Sequence, residues 1–179
     1  VFVFGYGSLA SEVAAAATVA SIRGFVRTWD VAMDNLAQIP GYKYYVDPAT
    51  GERPAVHVTF LNLTPDADAD TVGFLLEVTP YTLARLDHRE RNYDRVEVTD
   101  RVRTDPAIKT RVYAYFGRPE ARERYTAAIA QNTAVIAAQY LEQVEASFAA
   151  HHLTERYEAS TRPPACPVRE LSRVNLRPA

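Results

Sequence analysis

Between Gly24 and Val78 the chain passes through three strand-like segments in succession, and this run constrains the fold more than any other feature. Phe25 to Met33, Ala55 to Leu63 and Val72 to Val78 are each rich in β-branched and aromatic residues and bounded by turn formers. Strict alternation of strand and helix would signal a parallel α/β sheet, and that alternation is missing here. Tyr93 to Thr104 and Arg111 to Phe116 read as two further strands, and Val1 to Phe4 adds a sixth at the start. In the strand Val56, Val58, Phe60 the partners His57 and Thr59 mark a more polar face. With helices gathered mostly toward the ends, the expectation is an α+β fold, a small mixed/antiparallel six-stranded β-barrel flanked by helices.

The remaining segments fill in that plan. Leu9 to Ala20 reads as a helix capped by Ser8 or Ser11. Asn35 to Arg53, rich in turn residues and aromatics, reads as a long loop of the kind that often carries function. Thr79 caps a helix that has Pro80 at its first position and runs to Glu90. Glu120 to Ala150 reads as helical, with Tyr125, Ile129, Ile136, Tyr140, Val144 and Phe148 as an inward stripe and Asn132 as a candidate break.

Composition excludes several classes of function. A chain of 179 residues that is 47% hydrophobic is large enough for one domain with a real core, and nothing in it resembles a linker, so residues 1–179 are expected to form a single domain. A net charge of -2 with a pI near 6.1 offers no field for nucleic acid. Cys166 is the only cysteine, which rules out an internal disulfide framework and fits a thiol-reducing compartment, so a cytoplasmic location is expected. The weakly polar run Val13 to Ala20 falls far short of the roughly 20 apolar residues of a membrane span. Val1-Phe2-Val3-Phe4 reads as a strand rather than the core of a signal peptide. His57, His88, His151, His152 and Cys166 show no metal-ligand spacing, so no metal is expected.

Two places carry chemistry. Gly5-Tyr6-Gly7-Ser8-Leu9-Ala10 spells GxGxxA, but a dinucleotide fold would need a second parallel strand and continued strand-helix alternation. What remains is a glycine loop exposing backbone N–H groups before a helix, a site for an anion or oxyanion, or else a tight turn with no ligand. No motif marks a histidine base for Ser8, which reads as a hydrogen-bond donor or cap. The second place is Glu90. Leu83 and Leu86 stand three apart and Glu90 follows four later, so the three share one helix face, while Arg85, His88 and Arg89 lie off it. A carboxylate aimed at apolar surface is costly to keep charged and suited to proton transfer near neutral pH. The plain alternative is an ion pair with Arg89, Arg91 or Arg95 at the helix end.

The N-terminal strand running into Tyr6-Gly7-Ser8-Leu9, then Leu86-Asp87-His88-Arg89-Glu90 and Tyr93-Asp94-Arg95, resembles the γ-glutamylcyclotransferase superfamily. Gly24-Phe25, Trp29 to Asp34, Arg111 to Phe116 and Tyr140-Leu141 look like its bacterial members. The resemblance implies a small mixed barrel, a substrate loop at Tyr6, Gly7, Ser8 and Leu9, and Glu90 as the catalytic acid and base. It implies a small-molecule γ-glutamyl substrate and no cofactor. The implied reaction is attack of the substrate's α-amine on its own side-chain amide carbonyl, releasing 5-oxoproline and a free amine or amino acid. Amides from Gly7 to Leu9 would then hold either the oxyanion or the α-carboxylate.

Asn92-Tyr93 stands where glutathione-specific relatives often have glycine-tyrosine, so glutathione is not implied as the substrate. Tyr6, Tyr115 and Tyr140 are candidates to line the cleft, although aromatics at core spacing more often pack. Asp87 and Arg89 read as scaffold, the first paired locally and the second solvated. Two other functions fit the same residues: a non-catalytic module binding a carboxylate-bearing ligand, and an amide hydrolase in which Glu90 activates water. The leaving group stays open, and Asn35 to Arg53 and Thr161 to Arg177 are the segments expected to shape its pocket.

Overall fold

A computed structural model describes residues 1–12 and 18–176. Its backbone is the pairing of two long antiparallel strands, β2 (Thr18–Asp34) and β4 (His57–Glu77), in register from Thr18 opposite Leu75 to Asp34 opposite His57. β1 (Phe2–Gly5) lies antiparallel to the end of β4, and β7 (Val112–Gly117) pairs with β1 in parallel. β5 (Tyr93–Glu97) closes that side, and the short β6 (Val102–Arg103) edges β2. β8 (Ala134–Ala137) runs parallel to the start of β4 and is extended by β9 (Val168–Arg169). β3 (Lys43–Val46) and β10 (Ser172–Asn175) form a separate two-stranded ribbon. Among the described residues four α-helices flank these sheets: α1 (Pro80–Arg89), α2 (Pro119–Ala130), α3 (Ala138–Ala149) and α4 (Thr154–Ala159).

The expected class is what the chain forms: α+β, with a curled half-barrel of mixed parallel and antiparallel strands. The curl has a local cause. β2 slips register against β4 between Arg23 and Phe25, where Gly24 takes φ 81°, and again between Trp29 and Val31. Such bulges bend a strand and strengthen its twist, and the positive φ at the first is one glycine adopts without strain. Phe4, Ile22, Leu61, Phe74 and Phe148 lie fully inside the curl. Val58 through Leu63 are all buried, so both faces of that half of β4 are covered and the polar face expected from its alternation is not exposed.

The six expected strands become ten among the described residues. The segments Ala55 to Leu63 and Val72 to Val78 are two halves of β4, and Tyr93 to Thr104 divides into β5 and β6. The four additions, β3, β8, β9 and β10, are short and owe their conformation to partners distant in the chain. Glu120 to Ala150 is not helical throughout. Asn132 takes φ 54° and ends the first helix, and Ala134–Ala137, including Ile136, then pairs as a strand before α3 begins. The helix expected over Leu9 to Ala20 is corrected too. Ser8–Glu12 is a 3₁₀ helix, Thr18 to Ala20 already belong to β2, and residues 13–17 lie outside the described residues. No described helix is long and apolar enough to cross a membrane.

Candidate active site

The glycine loop emerges directly from β1. After Gly5 the backbone turns through Tyr6 and Gly7, and the Gly7 carbonyl accepts the Ala10 amide at 2.8 Å, closing the first turn of the 3₁₀ helix. That closure leaves the amides of Ser8 and Leu9 without a partner inside the helix. So short a helix has little dipole, so any anion here is held by local N–H groups rather than by a helix field. Tyr6 is fixed at both ends. Its hydroxyl donates to the Tyr115 carbonyl, and its own carbonyl accepts from Arg27 Nε at 2.8 Å.

Glu90 sits at the end of α1. Thr79 caps the helix, its Oγ1 accepting the Thr82 amide at 3.1 Å, and Pro80 takes the first position, where no amide is needed. The Glu90 amide still donates to the Leu86 carbonyl at 2.8 Å, so the residue is the helix cap and its side chain leaves on the face of buried Leu86. That side chain is only 17% exposed. Its Oε1 accepts from Arg89 Nε at 2.9 Å, and Oε2 takes no hydrogen bond from the described residues. Arg89, expected to be solvated, instead folds back and also pairs with Glu12. Its Nη2 is buried without a partner among the described residues. Asp87 pairs locally, with Arg95 at 2.7 Å, and accepts the Tyr115 hydroxyl at 2.8 Å.

These features meet. Tyr6, Gly7, Ser8, Leu9, Glu90, Tyr115 and Tyr140 line one narrow pocket of about 30 Å³, joined by Leu61 and Tyr93. Neither Leu61 nor Tyr93 was expected to line the site, because one reads as core of β4 and the other as a strand residue; the signal for Tyr93 was its place in the Tyr93-Asp94-Arg95 segment shortly after Glu90. The Tyr93 hydroxyl donates to the Leu61 carbonyl at 2.7 Å. Tyr140 stands edge-on to Phe60 and Trp29, with ring centroids 5.1 and 6.0 Å away. Its hydroxyl lies 3.5 Å from the Leu61 amide, while its own proton meets no acceptor among the described residues. Burial raises the pKa of Tyr6, Tyr93, Tyr115 and Tyr140, so all four stay protonated hydrogen-bond donors near neutral pH.

Ser8 and Glu90 also line a wider cleft of about 680 Å³, bounded by α1 and by the β3–β10 ribbon. No group of three or more His, Cys, Asp or Glu side chains gathers as a metal site among the described residues.

The family model described as gamma-glutamyl cyclotransferase, AIG2-like matches residues 3–134, well over half of the chain. The chain belongs to this family. A solved structure named gamma-glutamyl cyclotransferase matches its fold with a TM-score of 0.52 at 14% identity, covering 94% of this chain and 93% of the other. The crystal structure of an uncharacterized protein from Homo sapiens matches with a TM-score of 0.53 at 14% identity, covering 90% and 88%. At such identity the likeness concerns the fold. No curated protein matches the chain. Within the gamma-glutamyl cyclotransferase family span lie the Tyr6 to Leu9 loop, Lys43, Glu90 and Tyr115, whereas Tyr140 and the whole of β10 lie beyond it.

Proposed function

We propose that this protein is a γ-glutamylcyclotransferase, converting a γ-glutamyl compound to 5-oxoproline and a free amine or amino acid with Glu90 as general base and then general acid. The observation that carries the reading is that the mostly buried Glu90 carboxylate and the Tyr6 to Leu9 loop line the same pocket. Near neutral pH an α-amine is largely protonated and cannot attack, so a base must take a proton from it. Glu90 Oε2 is the oxygen free to do so, because Arg89 holds Oε1 and fixes the carboxylate's orientation. The amine then attacks the side-chain carbonyl, the C–N bond to the leaving group breaks, the departing nitrogen receives the proton that Glu90 holds, and the ring nitrogen gives up its second proton to solvent, leaving the neutral lactam.

As the tetrahedral centre forms, negative charge grows on the former carbonyl oxygen. Loop amides from Gly7 to Leu9 and the Tyr140 hydroxyl are the donors that support its stabilisation, each such donor being worth about 3 kcal/mol of barrier. Acid-base assistance adds roughly 10²- to 10⁴-fold. The test is product analysis on a panel of γ-glutamyl amino acids, peptides and amines. Release of 5-oxoproline is the expected result; free glutamate would point to a hydrolase, and binding with no product to a non-catalytic module.

A further inference from the structure

The cleft beside Glu90 carries more positive charge than it can neutralise. Its ionised side chains are Lys43, Arg85, Arg89 and Arg173 against Glu12 and Glu90. Arg89 engages both acids, which leaves Lys43, Arg85 and Arg173 without a carboxylate partner among the described residues. This happens in a chain whose net charge is -2 and which has only two lysines. Arg85 lies at the exposed lip, over the Tyr81 ring at 5.9 Å, but Lys43 and Arg173 are brought together by the ribbon. Register sets Lys43 opposite Asn175 and Tyr45 opposite Arg173. Directly paired residues share a face, as do residues two apart, so all four project to one side. That side lines a hollow of about 400 Å³ which also contains Ser8, of the substrate loop, and Tyr140.

Two cations on diagonal positions of one ribbon face repel each other unless an anion sits between them. The Lys43 ammonium makes no hydrogen bond among the described residues and lies 4.2 Å from the Phe60 ring centroid, a contact that holds a cation in place without neutralising it. Burial, with Arg173 and Arg89 adding and Glu90 opposing, lowers its pKa to about 8, the condition of an ammonium short of a counter-ion. Asn35 holds the base of the ribbon rigidly. Fully buried, it donates to the Tyr45 carbonyl at 2.9 Å and accepts the Tyr45 amide at 2.8 Å.

We propose that Lys43 and Arg173 form an anion subsite for the leaving group, selecting γ-glutamyl compounds whose departing amine bears a carboxylate. The inference rests on the cyclotransferase reading and adds the side of the substrate on which these residues act. A matched pair isolates it: γ-glutamylalanine and γ-glutamylethylamine differ only in the leaving-group carboxylate, and both keep the glutamyl α-carboxylate. In the wild type, kcat/KM for 5-oxoproline release is expected to favour the alanine compound by roughly 10- to 100-fold, the size of one or two charge-assisted contacts. In Lys43→Met and in Arg173→Met that ratio is expected to fall toward one. Arg173 is exposed, so its variant separates the subsite from any folding defect at Lys43. A wild-type ratio near one, or variants that lower both substrates equally, would overturn the subsite while leaving cyclisation standing. No 5-oxoproline from any γ-glutamyl compound would overturn the cyclotransferase reading and this inference with it.

Discussion

Replacing Arg27 with methionine tests how the Tyr6 to Leu9 loop is held. Arg27 is fully buried and has no carboxylate partner among the described residues. Its guanidinium is spent on oxygens: Nε on the Tyr6 carbonyl at 2.8 Å, Nη1 on Tyr157, Ser160 and Thr161, and Nη2 on the Val72 carbonyl. The rings of Phe148 and Tyr157 flank it, 4.8 and 4.7 Å from the guanidinium carbon. Two opposing effects decide the outcome. Burial, partly opposed by Tyr157, Tyr6 and Tyr140, lowers the Arg27 pKa to about 10, a cost of about 3 kcal/mol for keeping the charge. Methionine removes that cost and preserves most of the packing. It also strips donors from the buried Tyr6 and Val72 carbonyls, at about 1–3 kcal/mol each, and from three further acceptors in the 157–161 segment.

The losses outweigh the relief, and the expected net effect is about 2 kcal/mol of destabilisation, too little to unfold a domain of ordinary stability. The functional effect is expected to be larger, because a freed Tyr6 carbonyl lets the Gly7 to Leu9 amides drift. Urea unfolding measures the first effect, and kcat for 5-oxoproline release from the folded variant, expected to fall at least about 10-fold, measures the second. Arg27→Lys should be no better, since it keeps a buried charge without the fork that reaches these acceptors. A methionine variant at least as stable as wild type and equally active would refute the reasoning.

Other perturbations follow from the same contacts. A Cβ at position 73 would lie 2.6 Å from both the Gly5 carbonyl oxygen and the Phe4 ring, so Gly73→Ala is expected to lower the urea-derived stability by about 1–3 kcal/mol; an unchanged midpoint counts against that close approach. Burial raises Tyr45 and Tyr157 to about 12 and moves Tyr6, Tyr93, Tyr115 and Tyr140 in the same direction. A phenol whose folded pKa exceeds its unfolded value contributes stability that is intact below about pH 10 and lost as pH rises through the folded value, and the opposite contributions of Arg27 and Lys43 are two groups against these six. Circular dichroism and tyrosinate absorbance are therefore expected to change together in one cooperative alkaline transition. Independent ionisation of every tyrosine near pH 10 in a folded protein would contradict it.

Much of this was legible in the sequence where the signal is local. Thr79 and Pro80 mark the start of α1 because capping and the missing proline amide act within one turn, and Asn132 marks a real break because it readily takes positive φ. The helical period gave only the face Glu90 occupies; that it would share a site with the Tyr6 to Leu9 loop was implied by the family resemblance of the two motifs. The four short strands were not legible, since β8 is apolar enough to read as helix and β3 and β10 exist only through each other. The same limit hid Lys43. Nothing in Tyr42-Lys43-Tyr44 announces that a ribbon partner more than a hundred positions later will place that lysine in one cleft with Glu90 and Arg173. Leu9 to Ala20 failed for another reason: its alanine content favours helix, but Thr18 to Ala20 are claimed by the pairing of β2 with β4.

The most direct measurement is 5-oxoproline release by wild type and by Glu90→Gln on a γ-glutamyl substrate the wild type turns over. With an unchanged circular dichroism spectrum, turnover is expected to drop by roughly 10²- to 10⁴-fold, since the amide keeps the size of the side chain but cannot carry the proton. A Glu90→Gln protein that cyclises at a near-normal rate would contradict the assignment of Glu90 and the mechanism built on it.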